Sequence, residues 1–144
     1  MIYADTSCLL KVLRPEPLSE AVWSAINEEA SVIVSVLAEL ETLVQLKADW
    51  TGGMVTRKQW RQVETRFGIL KNQPPFEFRA LPGAVFQTAV RQHRNSGVKH
   101  CRSLDRLHLA AMEELRVSRL MTHDEGQAKA AIEAGFEVVR PGRA

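Results

Sequence analysis

The chain has 144 residues, 45% hydrophobic and 25% charged, and its 19 Lys and Arg against 17 Asp and Glu give a formal net charge of +2. This is the composition of an ordinary globular domain, and it excludes a disordered chain, a collagen and a coiled coil. The 2 cysteines are too few for a disulfide scaffold. The longest apolar run is too short to cross a membrane, and the N-terminus lacks a signal-peptide pattern. We therefore expect one domain over residues 1–144, cytoplasmic and without a membrane partner.

Along the chain, apolar spacing and the positions of Pro and Gly predict strands that alternate with helices. The predicted strands are short β-branched or alternating runs, at residues 1–4, 32–34, 76–81, 119–122 and 136–139. The predicted helices are stretches with apolar residues three and four apart, at 7–13, 18–29, 36–51, 56–71, 82–95, 104–115 and 125–134. Ser35 and Ser103 are the predicted N-caps of two of these helices. The pattern predicts an α/β fold with a mostly parallel sheet covered on both faces.

Four acidic residues stand at the predicted ends of these elements. Asp5 ends the first strand, Glu39 follows the second, and Asp124 follows the strand at 119–122, while Asp105 lies at a helix N-terminus. Ligands of an open parallel sheet bind outside the carboxyl ends of its strands. Each acid also has a structural explanation, since capping and the helix dipole favour Asp105 and Asp124, and Glu39 could be a solvated helix residue. Asp5 is harder to explain in this way, because a charge ending an apolar strand needs a partner.

If the four carboxylates converge, they need compensating charge. Two carboxylates ~5 Å apart repel by roughly 3 kcal/mol at an effective dielectric constant of 20. Such a cluster must bind protons, basic side chains or a metal, and oxygen-only ligands suit Mg²⁺ or Mn²⁺. Ions of this kind activate a water and stabilise charge on a phosphoryl group, so the cluster is suited to phosphodiester hydrolysis.

The segments that carry these acids resemble the PIN domain family. They are Asp-Thr-Ser at 5–7, Ala-Glu-Leu at 38–40, Ser-Leu-Asp-Arg-Leu-His-Leu-Ala at 103–110 and Leu-Met-Thr-His-Asp at 120–124. Within the family the chain looks most like the VapC-type toxins of bacterial toxin–antitoxin pairs, and the similarity extends to residues 135–142. The pairing of the third and fourth segments is the most specific part of this resemblance.

The resemblance implies a three-layer α/β/α fold with a five-stranded, mostly parallel sheet. It also implies a Mg²⁺- or Mn²⁺-dependent endoribonuclease that hydrolyses RNA. By motif position, the catalytic, metal-binding acids would be Asp5, Glu39, Asp105 and Asp124. Ser7 or Thr6 would be a hydroxyl that orients Asp5 or a metal-bound water.

Two positions near these acids have alternative interpretations. Glu41 follows Glu39 by two residues, about 200° around the helix, so only one of them can face the site, and Glu39 is the one that fits the family motif. His108 could contact RNA or pack at the rim of its helix. The other candidate RNA contacts are basic residues on the approach to Asp105, namely Lys99, Arg102 and Arg106.

The resemblance further implies a homodimer and inhibition by a cognate antitoxin, with promoter DNA bound only through the antitoxin. Two other enzyme classes with a strand-end Asp fit less well. A haloacid-dehalogenase-type phosphatase would need an Asp where Ser7 stands, and a phospho-receiver domain would need an acid pair and a late Lys that have no counterpart here. The remaining alternative is a non-catalytic PIN-like module that binds RNA or a partner protein.

Overall fold

A computed structural model describes residues 1–97 and 101–143, and in it five strands form a single sheet. The strands are β1 (Ile2–Ala4), β2 (Val32–Ser35), β3 (Phe76–Arg79), β4 (Arg119–Met121) and β5 (Glu137–Val139). The helices are α1 (Thr6–Leu13), α2 (Ser19–Asn27), α3 (Val36–Thr51), α4 (Arg57–Leu70), α5 (Val85–Asn95), α6 (Ser103–Leu115) and α7 (Glu125–Glu133). All neighbouring strands are parallel, in the order β3-β2-β1-β4-β5.

Helices cover both faces of the sheet because successive strand residues point to opposite sides. In β1, Ile2 and Ala4 pack with the apolar side chains of α1 to α4, whereas Tyr3 packs with those of α5, α6 and α7. The central strands are buried on both faces, and their sequences are therefore almost continuously apolar. The predicted three-layer α/β/α architecture and the five-stranded parallel sheet are confirmed.

The strand order reverses beside β1, and this positions the site. The chain builds β1, β2 and β3 in one direction, then returns to the other side of β1 to add β4 and β5. Parallel α/β sheets bind ligands at such a reversal, outside the carboxyl ends of the strands. Helices α1 and α7 begin at this edge, directly after β1 and β4.

Several local predictions need correction. Ser103 is the first residue of α6 and not its cap, because the N-cap is Arg102, whose side chain makes no capping hydrogen bond. Helix α5 begins at Val85, after a turn in which the amide of Val85 donates to the carbonyl of Pro82 over 3.1 Å. Most other boundaries agree with the prediction to within two residues.

The large apolar residues of helix α3 do not all face inward. Leu37 and Leu46 are buried, but Leu40 and Val44 are 60% and 61% exposed. Small residues, Ala38 and Thr42, complete the face that packs inward. Within residues 1–97 and 101–143, every helix is too short or too polar to span a bilayer.

Candidate functional site

Asp5 lies at the centre of the carboxyl edge of the sheet, and its surroundings are built to hold a carboxylate. It follows β1, is 4% exposed and caps α1, its Oδ1 accepting from the amide of Cys8 over 3.3 Å. The hydroxyl of Ser7 donates to the same oxygen over 2.5 Å, and the hydroxyl of Thr122 donates to Oδ2. Burial raises the pKa of Asp5, and the two hydroxyls and the Cys8 amide oppose that shift.

The two hydroxyls connect Asp5 to the end of β4. Thr122 Oγ1 accepts from the amide of Asp124 over 3.0 Å, and Ser7 Oγ accepts from the amide of His123 over 2.9 Å. The segment that follows β4 is thereby attached to Asp5. Asp124 in turn caps α7, where its Oδ1 accepts from the amide of Gln127 over 2.8 Å.

Arg102 joins two further carboxylates of this edge. Its Nε donates to Asp105 Oδ2 over 2.8 Å, and its Nη2 donates to Asp124 Oδ2 over 3.3 Å. Asp105 is in the first turn of α6, and its carbonyl accepts from the side chain of Gln127 over 3.1 Å. Hydrogen bonding to Asp105, with the charges of both aspartates, raises the pKa of Arg102. Three of the four predicted acids, Asp5, Asp105 and Asp124, thus lie in one connected network.

The fourth predicted acid, Glu39, points elsewhere, and Glu41 takes the place expected of it. Glu39 Oε1 pairs with Lys71 Nζ over 2.6 Å. Glu41 Oε1 instead accepts from the hydroxyl of Thr6 over 2.9 Å, next to Asp5, and lies 2.5 Å from His108 Nε2. The expectation that Glu39 faces the site is therefore corrected. The two side chains are about 200° apart on α3, and the small inward-facing residues Ala38 and Thr42 set the rotation of the helix.

Glu41 is the end of a hydrogen-bonded row that runs through the interior. Tyr3 Oη donates to Ser35 Oγ over 2.7 Å and lies 2.6 Å from His108 Nδ1, and the opposite ring nitrogen meets Glu41. Although burial raises the pKa of Glu41, the hydrogen bond and charge of His108 and the hydroxyl of Thr6 lower it below its usual range. Burial raises the pKa of Tyr3, so its hydroxyl stays protonated.

The candidate RNA contacts divide into three cases. Arg102 is exposed at the site, where it pairs with Asp105 and Asp124. Lys99 lies outside the described residues. His108 and Arg106 are corrected, because they are only 3% and 5% exposed. Nδ1 of His108 lies 2.6 Å from Tyr3 Oη, and Nη1 of Arg106 donates to Gln92 over 3.5 Å. Such burial does not suit a residue that contacts RNA.

The donor set of this site fits a hard divalent cation by its chemistry. In the parts of the chain that the structure describes, no three His, Cys, Asp or Glu side chains are grouped closely enough to hold a metal ion as they stand. The acids nevertheless offer only carboxylate oxygens, the ligands that suit Mg²⁺ and Mn²⁺. The guanidinium of Arg102 already brings one positive charge between Asp105 and Asp124.

Sequence reasoning missed several polar residues of this site, above all Tyr3 and the role of Glu41. A tyrosine inside an apolar strand carries one usable signal, because its buried hydroxyl must find a partner. The sequence cannot say that the partner is His108, which is 105 positions away. For Glu41 the available signal was the small pair Ala38 and Thr42, which marks the inward face of α3 better than the exposed Leu40 does.

Comparisons with known proteins identify the family and the fold. The model of the PIN domain family matches residues 2–133. FitAcB from Neisseria gonorrhoeae is similar in structure with a TM-score of 0.75 and 19% identity, each chain fully covered. VapC20 of Mycobacterium tuberculosis, a sarcin–ricin-loop-cleaving toxin, has a TM-score of 0.72 and 14% identity over 98% of this chain and 100% of the other. A toxin–antitoxin complex from Klebsiella pneumoniae has a TM-score of 0.66 and 16% identity, with 100% of both chains covered. No curated protein sequence matches the chain.

The raised pKa of Asp5 predicts that this residue makes the fold less stable at neutral pH. Between the unfolded pKa of about 3.9 and the higher folded pKa, the native state binds more protons, so stability falls as pH rises. We expect Asp5→Asn to unfold at higher urea concentration than the wild type at pH 7 in EDTA, with a difference that shrinks toward pH 4. Each unit of pKa elevation corresponds to about 1.4 kcal/mol at neutral pH.

The matched control is Glu28→Gln, a change at an exposed position after α2, which should alter stability by less than about 0.5 kcal/mol at every pH. Equal stability of the wild type and Asp5→Asn at pH 7 would contradict the prediction.

Proposed function

The chain belongs to the PIN domain family, and from that premise we propose that it is a Mg²⁺- or Mn²⁺-dependent endoribonuclease and the toxin of a VapBC-type toxin–antitoxin pair. The observation that carries the proposal is the convergence of Asp5, Asp105 and Asp124 at one sheet edge, with Glu41 beside them. The similarity to VapC20, a toxin that cleaves the sarcin–ricin loop, also supports the proposal of a ribonuclease toxin.

The residues would divide the work as follows. Asp5, Glu41, Asp105 and Asp124 would hold the cation, which activates water and stabilises charge on the phosphoryl group when bound. Ser7 and Thr122 fix both oxygens of Asp5 and so determine the direction in which it presents its remaining lone pairs. Thr6 orients Glu41 in the same way, by donating a hydrogen bond to its Oε1.

Arg102 would serve the substrate. It is an exposed cation beside the acids, where an approaching phosphate meets positive charge. Arg102 now pairs with Asp105 and Asp124, two of the carboxylates proposed to hold the metal. With both ligands bound, the carboxylates would contact the metal and the guanidinium would contact the RNA phosphate. Lys99, the other basic residue expected to contact RNA, stands three positions before Arg102 in the sequence and would add a second positive charge.

The proposed partners are an antitoxin protein and a second copy of the chain, with promoter DNA bound only through the antitoxin. A toxin–antitoxin complex is among the similar structures, which supports the first of these. Expression of the chain in bacteria should arrest growth, and co-expression of the antitoxin should restore it. Growth that continues despite folded wild-type protein would count against the toxin assignment.

Cleavage of total cellular RNA tests the nuclease proposal, with the two glutamates as a matched pair. Purified wild-type protein should produce discrete fragments with Mg²⁺ or Mn²⁺ and none in EDTA or with Asp5→Asn. Glu41→Gln should lower the rate by at least about 10- to 100-fold, the loss that follows even the removal of a partner behind a metal ligand. Glu39→Gln should stay within about threefold of the wild type, because Glu39 pairs with Lys71 away from the site.

Three outcomes would contradict parts of this proposal. Fragments that persist in Asp5→Asn would show that the cleavage does not arise at this site. A larger loss in Glu39→Gln than in Glu41→Gln would reverse the assignment of the two glutamates. Metal binding by folded protein with no cleavage of any RNA would favour the non-catalytic binding module.

The role of Arg102 predicts a change in the salt dependence of RNA binding. In an Asp5→Asn background that prevents cleavage, Arg102→Gln should weaken RNA binding and reduce the slope of log K against log salt by about 0.7 to 1, the value for one lost phosphate contact. Lys58→Gln, which removes an exposed cation on α4, is the control and should leave both unchanged. An unaltered slope in Arg102→Gln would remove Arg102 from the interface.

The proposed homodimer has a surface that suits it. Val36, Leu40 and Val44 recur every four residues on α3 and are 42%, 60% and 61% exposed. One apolar stripe can meet itself across a two-fold axis. We expect sedimentation to show a dimer for the wild type and a monomer for Leu40→Glu, while Ile132→Glu on α7 stays dimeric. A monomeric wild type, or a dimeric Leu40→Glu, would contradict this interface.

A further inference from the structure

The row of hydrogen bonds behind Glu41 is unusually well buried for a set of polar side chains. Tyr3 and Ser35 are fully buried and His108 is 3% exposed. The rings of Tyr3 and His108 meet edge to face, with centroids 5.7 Å apart and planes at 73°. Buried polar groups cost stability unless they are hydrogen-bonded, so each of these contacts has to be satisfied within the row.

Both nitrogens of His108 have an oxygen partner, and this fixes the ring. Thr6 donates to the same oxygen of Glu41 that faces His108, and a carboxylate oxygen accepts hydrogen bonds. Nε2 of His108 therefore carries the proton in its 2.5 Å contact with Glu41 Oε1. On the other side, the hydroxyl of Tyr3 holds Nδ1 at 2.6 Å and is itself anchored on Ser35, the N-cap of α3.

The two hydrogen bonds to Glu41 fall on one of its oxygens. Thr6 and His108 both donate to Oε1, and no donor among residues 1–97 and 101–143 reaches Oε2. Among these residues, the carboxylate is therefore held through Oε1. Outer hydrogen-bond partners of this kind orient metal ligands and tune their affinity.

We propose that His108 is a positioning residue for Glu41, and that Tyr3 sets His108 in turn. This inference rests on the proposed function, in which Glu41 is one of the acids that hold the cation. His108 itself is too buried to touch RNA or a reacting phosphate, and it acts through the carboxylate it directs. The row links β1, β2 and α6 to Glu41 on α3.

Mn²⁺ affinity of the free protein, measured by titration calorimetry without RNA, tests this role. In His108→Gln the side-chain amide can take the place of Nε2, and we expect Mn²⁺ affinity within about threefold of the wild type. In His108→Asn the shorter amide can take only the place of Nδ1, and affinity should fall by about 10-fold or more. A merely structural role would not separate these two variants, since both replace the ring with an amide.

Tyr3→Phe and a double variant complete the experiment. Tyr3→Phe removes a single oxygen and should also lower Mn²⁺ affinity, which preserves the test if His108→Asn does not fold. In a Glu41→Gln background, His108→Asn should cause no further loss, because coupled residues are not additive. Circular dichroism melting of every variant shows which of them are folded.

The outcomes distinguish this inference from the proposed function. A folded wild type that binds no Mn²⁺ would overturn the metal dependence and the inference together. A wild type that binds Mn²⁺ while folded His108→Asn and Tyr3→Phe bind it equally well would overturn only the inference. Equal losses in His108→Gln and His108→Asn would also overturn it, because they would assign the effect to packing.

Discussion

The rest of this structure depends on one constraint, the free-energy cost of placing several carboxylates together at the carboxyl edge of a buried sheet. Asp5 carries the largest part of that cost, since it is nearly inaccessible to solvent and its pKa is raised by burial. Like charges and desolvation both oppose such a cluster, and the fold counters them with donors drawn from separate elements. Hydroxyl groups donate hydrogen bonds to Asp5, and the guanidinium of Arg102 donates to Asp105 and Asp124. The imidazole of His108 contacts Glu41.

Capping and site chemistry coincide in this arrangement. Asp5 and Asp124 are the N-caps of α1 and α7, so the structural explanation for an acid at a helix start holds for both. The same side chains nevertheless join one network through Thr122. A carboxylate that caps a helix accepts the amide hydrogen bond with one oxygen, so its second oxygen can contact another group, as Asp5 does with Thr122 and Asp124 with Arg102. A capping residue can therefore also belong to a binding site.

Glu41 illustrates how the sheet edge recruits a residue from a neighbouring helix. Ser35 is the N-cap of α3, and its hydroxyl oxygen accepts hydrogen bonds from the amide of Ala38 and from the hydroxyl of Tyr3. The start of the helix is thereby fixed to the central strand, and Glu41, almost two turns on, faces α6. Glu39 lies on another side of the same helix and pairs with Lys71 near the end of α4. Two acids two residues apart therefore have different electrostatic surroundings.

The sequence by itself determined the fold class, the element order and three of the acids, because apolar periodicity and strand-end carboxylates are local signals. Local signals placed Asp5 and Asp124 at the edge where the structure has them, and the family resemblance added Asp105 to the same site. Only the tertiary structure showed that Glu41 rather than Glu39 faces the site and that His108 is buried. It also showed that Arg102 pairs with two aspartates. These outcomes depend on how far each helix is rotated about its axis, and that rotation follows from packing between residues far apart in the chain, such as Tyr3 and His108.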